Sequence, residues 1–186
     1  VAEAHGVPPV ITHAALDSVK PGGGGLRDDQ LLRMYALGGV FSHGLSALET
    51  VTGPDHALPE GGPCPGTVEA WAWQHQHVQR LIEDNAGDLL GQPELAWADL
   101  DEDQRTRLST GWSSDWNGWV SHSRPVVGTC RDAQDGDLAL DRKGLAHPGL
   151  LPEHWQRVEE QGVSLEPMLR TSERFLQLWE QARGER

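Results

Sequence analysis

Cysteine is nearly missing from these 186 residues: only Cys64 and Cys130 occur, with no CxxC spacing. That excludes a disulfide framework or a zinc ribbon as the basis of the fold, and free thiols are the expected state. Long apolar runs are also missing. None approaches the roughly 20 residues of a membrane span, and no signal-peptide pattern opens the chain. Basic residues are scarce, 15 Lys and Arg against 28 Asp and Glu, for a net charge of -13. Nucleic acid and anionic membranes both need a basic face, so neither is expected as a partner. No GxSxG elbow supports acyl-enzyme chemistry. The glycine run 22–25 lacks the Lys-Ser/Thr ending of a phosphate loop and reads as a flexible lid or turn.

The residues that are present describe one domain with a real core. Phenylalanine (two) and tyrosine (one) are few, but eight tryptophans point to a packed interior. Glycine (22) and proline (12) cluster in 21–25, 59–66 and 125–149, which suggests long loops on a rigid scaffold. Residues 1–6 resemble the last turn of a helix, with Gly6 as its C′ residue and Pro8-Pro9 preventing continuation. The expectation is the C-terminal part of a longer protein.

Apolar periodicity then predicts a strand over 9–13 and a helix over 30–37 capped by Asp28 or Asp29. A second strand follows over 39–42, then a long loop over 44–66 and a helix over 68–84 capped by Thr67. An acidic segment, 85–107, reads as an insertion with a short helix over 101–107. A third strand over 108–114 ends at Asp115 and is followed by a loop over 116–149. Two helices close the chain, over 152–161 (stopped by Gly162) and over 165–182 (capped by Ser164). Strands alternating with helices imply a parallel sheet. Three βα units fit the last third of an eight-stranded barrel; a small open α/β sheet is the alternative.

Two strands end on residues suited to chemistry. Val10-Ile11-Thr12-His13 places an imidazole at a strand's carboxyl end, where parallel α/β folds build their sites. Taken alone, His13 is either a zinc ligand or a hydrogen-bonded histidine at a strand terminus. Gly111-Trp112-Ser113-Ser114-Asp115-Trp116-Asn117-Gly118 places a carboxylate among tryptophans. Asp115 is then either a proton carrier beside a metal-activated water or a turn aspartate capping Asn117-Gly118. Arg27, just before a helix start, either clamps a carboxylate in bidentate fashion or is a solvated loop arginine. His43 falls just past the second strand, within reach of a site at the strand ends. His75 and His77 are spaced i, i+2 and point to different faces. His75 goes with Trp71 on the core side and His77 goes to the surface. His122 and His147 lie in the final long loop region, with no partner suggested by spacing.

Pro9-Val10-Ile11-Thr12-His13, Gly25-Leu26-Arg27-Asp28-Asp29-Gln30-Leu31-Leu32, Gly39-Val40 and Ser113-Ser114-Asp115-Trp116-Asn117-Gly118 together resemble the C-terminal half of the membrane (renal-type) dipeptidase family. This is a metallopeptidase branch of the amidohydrolase superfamily. The segments 144–152 and 170–180 are similar to the closing helices of its longer bacterial members. The similarity runs over nearly the whole chain and is weakest over 85–107.

The resemblance implies an α/β fold, with residues 1–186 forming the C-terminal portion of a (β/α)8 TIM barrel: about three βα units plus closing helices. It implies two zinc ions and hydrolysis of a dipeptide, a small-molecule substrate. By this resemblance His13 matches the last metal-binding histidine, and Arg27 the arginine that holds the substrate's carboxylate. Asp115 matches the aspartate that takes a proton from the metal-bridging water and returns it to the leaving amine. Asn117, in the same loop, is assigned to substrate binding. Trp116 and Asn117 stand where many members have Phe and Asp, which bears on substrate preference. The family's His-x-Asp ligands, bridging glutamate and strand-five histidine match nothing in this chain, so the isolated chain is expected to be inactive. Two rival functions are a non-catalytic binding or interaction module and a hydrolase of another small amide. A homo-oligomer is compatible with each.

Overall fold

The computed structural model describes residues 7–14, 16–17, 25–44, 68–113, 151–164 and 166–184. Outside them lie the helix end expected at 1–6, glycines 22–24, the cap residue Thr67, all but the first residue of the loop expected over 44–66 and the loop expected over 116–149. Asp115, Asn117, Cys64, Cys130, His122 and His147 therefore also fall outside the described residues.

Three strands, β1 (Val10–Ala14), β2 (Val40–Gly44) and β3 (Thr110–Ser113), form one parallel sheet in chain order. Val10 pairs with Val40 and Phe41 with Thr110, and the β1–β2 register shifts between Ile11 and Ala14. Parallel neighbours cannot be joined by a hairpin, so each connection carries a helix. Helix α1 (Asp28–Ala36) links β1 to β2. Between β2 and β3 come α2 (Val68–Asp84), α3 (Ala86–Leu89), a 3₁₀ turn (Trp97–Asp99) and α4 (Glu102–Arg107). Helices α5 (Leu151–Glu160) and α6 (Glu166–Gly184) follow.

Local chemistry accounts for the helix ends. At α1 the cap is Arg27 rather than Asp28 or Asp29; its backbone N–H donates to Gln30 Oε1 at 3.0 Å. The two aspartates sit in the first turn instead, where their charge complements the positive end of the helix dipole. Asp101 caps α4 reciprocally: its Oδ1 accepts from Gln104 N at 2.8 Å, and Gln104 Oε1 accepts from Asp101 N at 2.9 Å. Ser164 Oγ accepts from Glu166 N at 3.3 Å, as the sequence led one to expect, and Gly162 takes φ +79° just after α5.

The core lies on the face of the sheet that α1 and α2 cover. Leu31 and Tyr35 of α1 and Val78 and Ile82 of α2, each pair spaced i, i+4, meet Phe41 of β2 there. Tyr35 is buried, and its hydroxyl donates to the Ser109 carbonyl at 3.0 Å and lies 3.1 Å from Thr110 Oγ1. Without those partners a buried hydroxyl costs about 1–3 kcal/mol, so this contact fixes α1 against β3. The segment read as an insertion contributes Ala86, Leu89 and Leu100 to the same core.

Side chains alternate across a strand, so Thr12, Ser42 and Gly111 face the other way. Helix α6 packs along β3 and onto that second face. There Thr171 Oγ1 lies 2.6 Å from Ser109 Oγ, and a Cβ on Gly111 would come within 2.8 Å of Thr171 Cγ2. The observed class is α/β, a small parallel sheet with helices on both faces.

Gly39, between α1 and β2, marks a tight backbone approach. A Cβ there would lie 2.5 Å from the Pro9 carbonyl oxygen and 2.8 Å from that of Met34. Backbone oxygens cannot swing aside, so Gly39→Ala is expected to cost about 3 kcal/mol. Gly91 has φ +71° and open space around it, so Gly91→Ala is expected to cost about 1 kcal/mol. Urea midpoints of the two variants check the order; equal midpoints would contradict it.

Candidate functional site

In a parallel sheet all strands end on the same side, and here that side gathers the residues suited to chemistry. His13 is the fourth of five residues in β1 and His43 the fourth of five in β2. Ala14 pairs with His43, and His43 with Trp112. Past β1 the chain is tied back by a parallel bridge between Leu16 and Leu26, with Asp17 N donating to the Leu26 carbonyl at 2.9 Å. That bridge holds Arg27, the next residue, at the carboxyl end of the strand that carries His13.

Arg27 is exposed, and its guanidinium already grips a carboxylate. Nε donates to Asp29 Oδ1 and Nη2 to Oδ2, each at 2.9 Å. This hydrogen bonding and charge raise the Arg27 pKa, and the guanidinium holds the Asp29 carboxyl below the usual range. The fork geometry suited to a carboxylate is thus present. An incoming carboxylate would have to take Asp29's place. Of the sequence-derived site residues, the fold brings the His13 backbone and Arg27 to one end of the sheet. Asp115 follows β3 by two residues and lies outside the described region, as does Asn117.

His43 lies elsewhere than expected. The second strand runs on to Gly44 rather than stopping at 42, because Ser42, His43 and Gly44 continue the ladder to β3. His43 is therefore inside the sheet and only 1% exposed. Its ring stacks between Phe41 (centroids 6.4 Å, planes 25° apart) and Trp71 of α2 (5.8 Å, 22°). Trp71 in turn stacks on His75 (5.1 Å, 21°), which is 5% exposed. Four rings thus run from the middle strand into α2. The Trp71/His75 spacing of i, i+4 carried half of this stack in the sequence; the half on β2 depended on the strand's length.

Both histidines are held neutral. Burial lowers His43 to about 4, opposed in part by the Gln74 side chain. Burial, with a smaller contribution from His43, lowers His75 to about 3. Gln74 lies close enough to affect His43, yet among the described residues neither of its amide atoms reaches hydrogen-bond geometry, and Nδ1 of each histidine also has no partner. These rings form a packed, electrically neutral stack rather than a proton relay.

Among the described residues, no group of three or more His, Cys, Asp or Glu is arranged to hold a metal ion. No family model matches the chain, and no curated protein or solved structure matches it.

The buried histidines make stability depend on pH. Their folded pKa values lie below the ordinary 6.5, so the unfolded chain binds more protons as pH falls. Stability from this source is complete above pH 6.5 and is lost as pH falls toward 4, by roughly 1.4 kcal/mol per unit for each histidine. Relief of the chain's net negative charge acts in the opposite direction over the same range. The expected signature is thus a difference: between pH 7 and 4 the wild type loses more unfolding free energy than His43→Phe or His75→Phe. Urea titrations across that range measure it, and parallel curves for the three proteins would refute the assignment.

Proposed function

We propose that this chain supplies the last three βα units of a (β/α)8 barrel in a zinc-dependent, dipeptidase-like hydrolase. One observation carries the reading most: the Leu16–Leu26 bridge sets Arg27, a fork able to grip a carboxylate, at the carboxyl end of the strand bearing His13. A parallel sheet in chain order, with α1 and α2 covering one face, is also what consecutive barrel units require. His13 fits as one imidazole donor and no more, so other ligands must come from outside this chain. Zinc, when bound, would polarise the scissile carbonyl and lower the pKa of water. In this reading Arg27 binds the free carboxylate of a dipeptide, Asp115 takes the proton from the attacking water and returns it to the leaving amine, and Asn117 contacts substrate.

In the intact parent, Asp115→Asn is expected to lower kcat by roughly 10²–10⁴. Arg27→Ala should raise KM for a dipeptide about tenfold or more, with little effect on an amide that lacks the free carboxylate. An unchanged kcat in the first variant sinks the hydrolase reading. Two tightly bound zinc ions in the isolated chain, read by elemental analysis, would contradict the incomplete ligand set.

A second reading, a non-catalytic module built on an open sheet, is favoured by α6. In a closed barrel Thr12, Ser42 and Gly111 would face the lumen, yet Thr171 of α6 lies on that face. Against it, α6 leaves Leu169, Leu176 and Trp179 more than half exposed, an apolar stripe that a complete barrel could bury. A double-mutant cycle separates the two. If α6 stays on this face, Gly111→Ala costs about 1–3 kcal/mol, and Thr171→Ala in the same chain recovers part of the loss. Additive effects in the intact parent support the barrel.

A further inference from the structure

A cavity of about 500 Å³ lies between α2, α4 and the turn from α5 into α6. Its α2 wall is one helix face: His75, Gln79 and Glu83 at i, i+4, i+8, with Arg80 beside them. The turn is tied to that wall by Gln76 Nε2, which donates to the Gln161 carbonyl at 2.6 Å. Volume alone puts it in the range of small-molecule sites. Its charge is what sets it apart.

The carboxylates on its wall are already engaged. Glu83 Oε1 accepts from Gln79 Nε2 at 3.0 Å, and Glu166 pairs with Arg170 at 2.6 Å. Arg170 is doubly compensated, with Glu102 3.1 Å away. Two further guanidinium groups line the cavity without a carboxylate. Among the described residues Arg105 donates from Nη2 only to the Ala98 carbonyl at 3.1 Å, and Arg80 enters no ion pair. In a chain with net charge -13, two guanidinium groups outside the described ion pairs line one concavity, against the single unpaired carboxylate of Glu83. His75 lines the same cavity and is 5% exposed.

We infer that this cavity binds a small organic oxyanion, a carboxylate or phosphate, through Arg80 and Arg105. Trp97, also on the wall, offers a flat apolar surface to a ring-bearing ligand. The inference is independent of the hydrolase reading, since it uses none of His13, Arg27 or Asp115.

Titration calorimetry of the full chain at low ionic strength, with inorganic phosphate, benzoate and neutral benzamide as probes, tests it. Saturable binding of phosphate or benzoate, but not benzamide, is expected at about millimolar Kd or tighter. Arg80→Gln and Arg105→Gln should each weaken it by about tenfold, and Arg183→Gln, far along α6, should leave it unchanged. Phosphate alone binding assigns a phosphoryl ligand; benzoate alone assigns a carboxylate. A readout on the unmutated protein accompanies this: the bound anion should protect Arg80 and Arg105 from phenylglyoxal, followed by mass spectrometry. No saturable anion binding, equal binding of benzamide, or unaltered modification of both arginines would overturn the inference.

Discussion

A parallel strand pair cannot be closed by a tight turn, and nearly everything else in this fold follows from that restriction. Each step from one strand to the next must carry the chain back across the sheet, so β1–β2 and β2–β3 are joined through helices. β2, paired on both sides, becomes the strand on which the packing converges. Phe41 and His43 on one of its faces meet α1 and α2, and Ser42 on the other faces α6. The same restriction brings all carboxyl ends to one side, which is why His13 and Arg27 share an end of the sheet although 13 residues separate them in sequence.

Polar contacts refine what apolar burial begins. The Tyr35 hydroxyl joins α1 to the start of β3 through the Ser109 carbonyl, and Ser109 Oγ in turn lies 2.6 Å from Thr171 on α6. Layers on both sides of the sheet are thereby registered against a single residue. The aromatic stack does the equivalent for α2, and its cost is the desolvation of two imidazoles, which stay neutral because burial disfavours their charged form. Arg27 and Asp29 illustrate the other extreme. Their pair is well formed but exposed, so it orients a side chain without anchoring the fold.

A large part of this arrangement is legible in the residues. The period-3.6 spacing of Leu31, Met34 and Tyr35, the Ser164 cap and the Gly162 stop are local signals, and each reappears in the structure. Strand limits were less legible. A His43-Gly44 ending reads as a loop until the ladder to β3 is known, and that ladder lies some 70 residues away in sequence. The cap of α1 differs from the sequence expectation for a related reason: two aspartates compete for the position, and Arg27, next to the bridge at Leu26, takes it.

The sequence by itself determined the class of the fold: alternating strands and helices, a parallel sheet, and chemistry-bearing residues at its carboxyl edge. Those depend on residue periodicity and backbone preference, which act over a few positions. Only the tertiary structure decided that His43 belongs to the core, that α6 covers the Thr12, Ser42 and Gly111 face, and that Arg80 and Arg105 face one cavity. These depend on which distant surfaces exclude water together. Burial of that kind is a property of pairs of elements and cannot be read from either one alone.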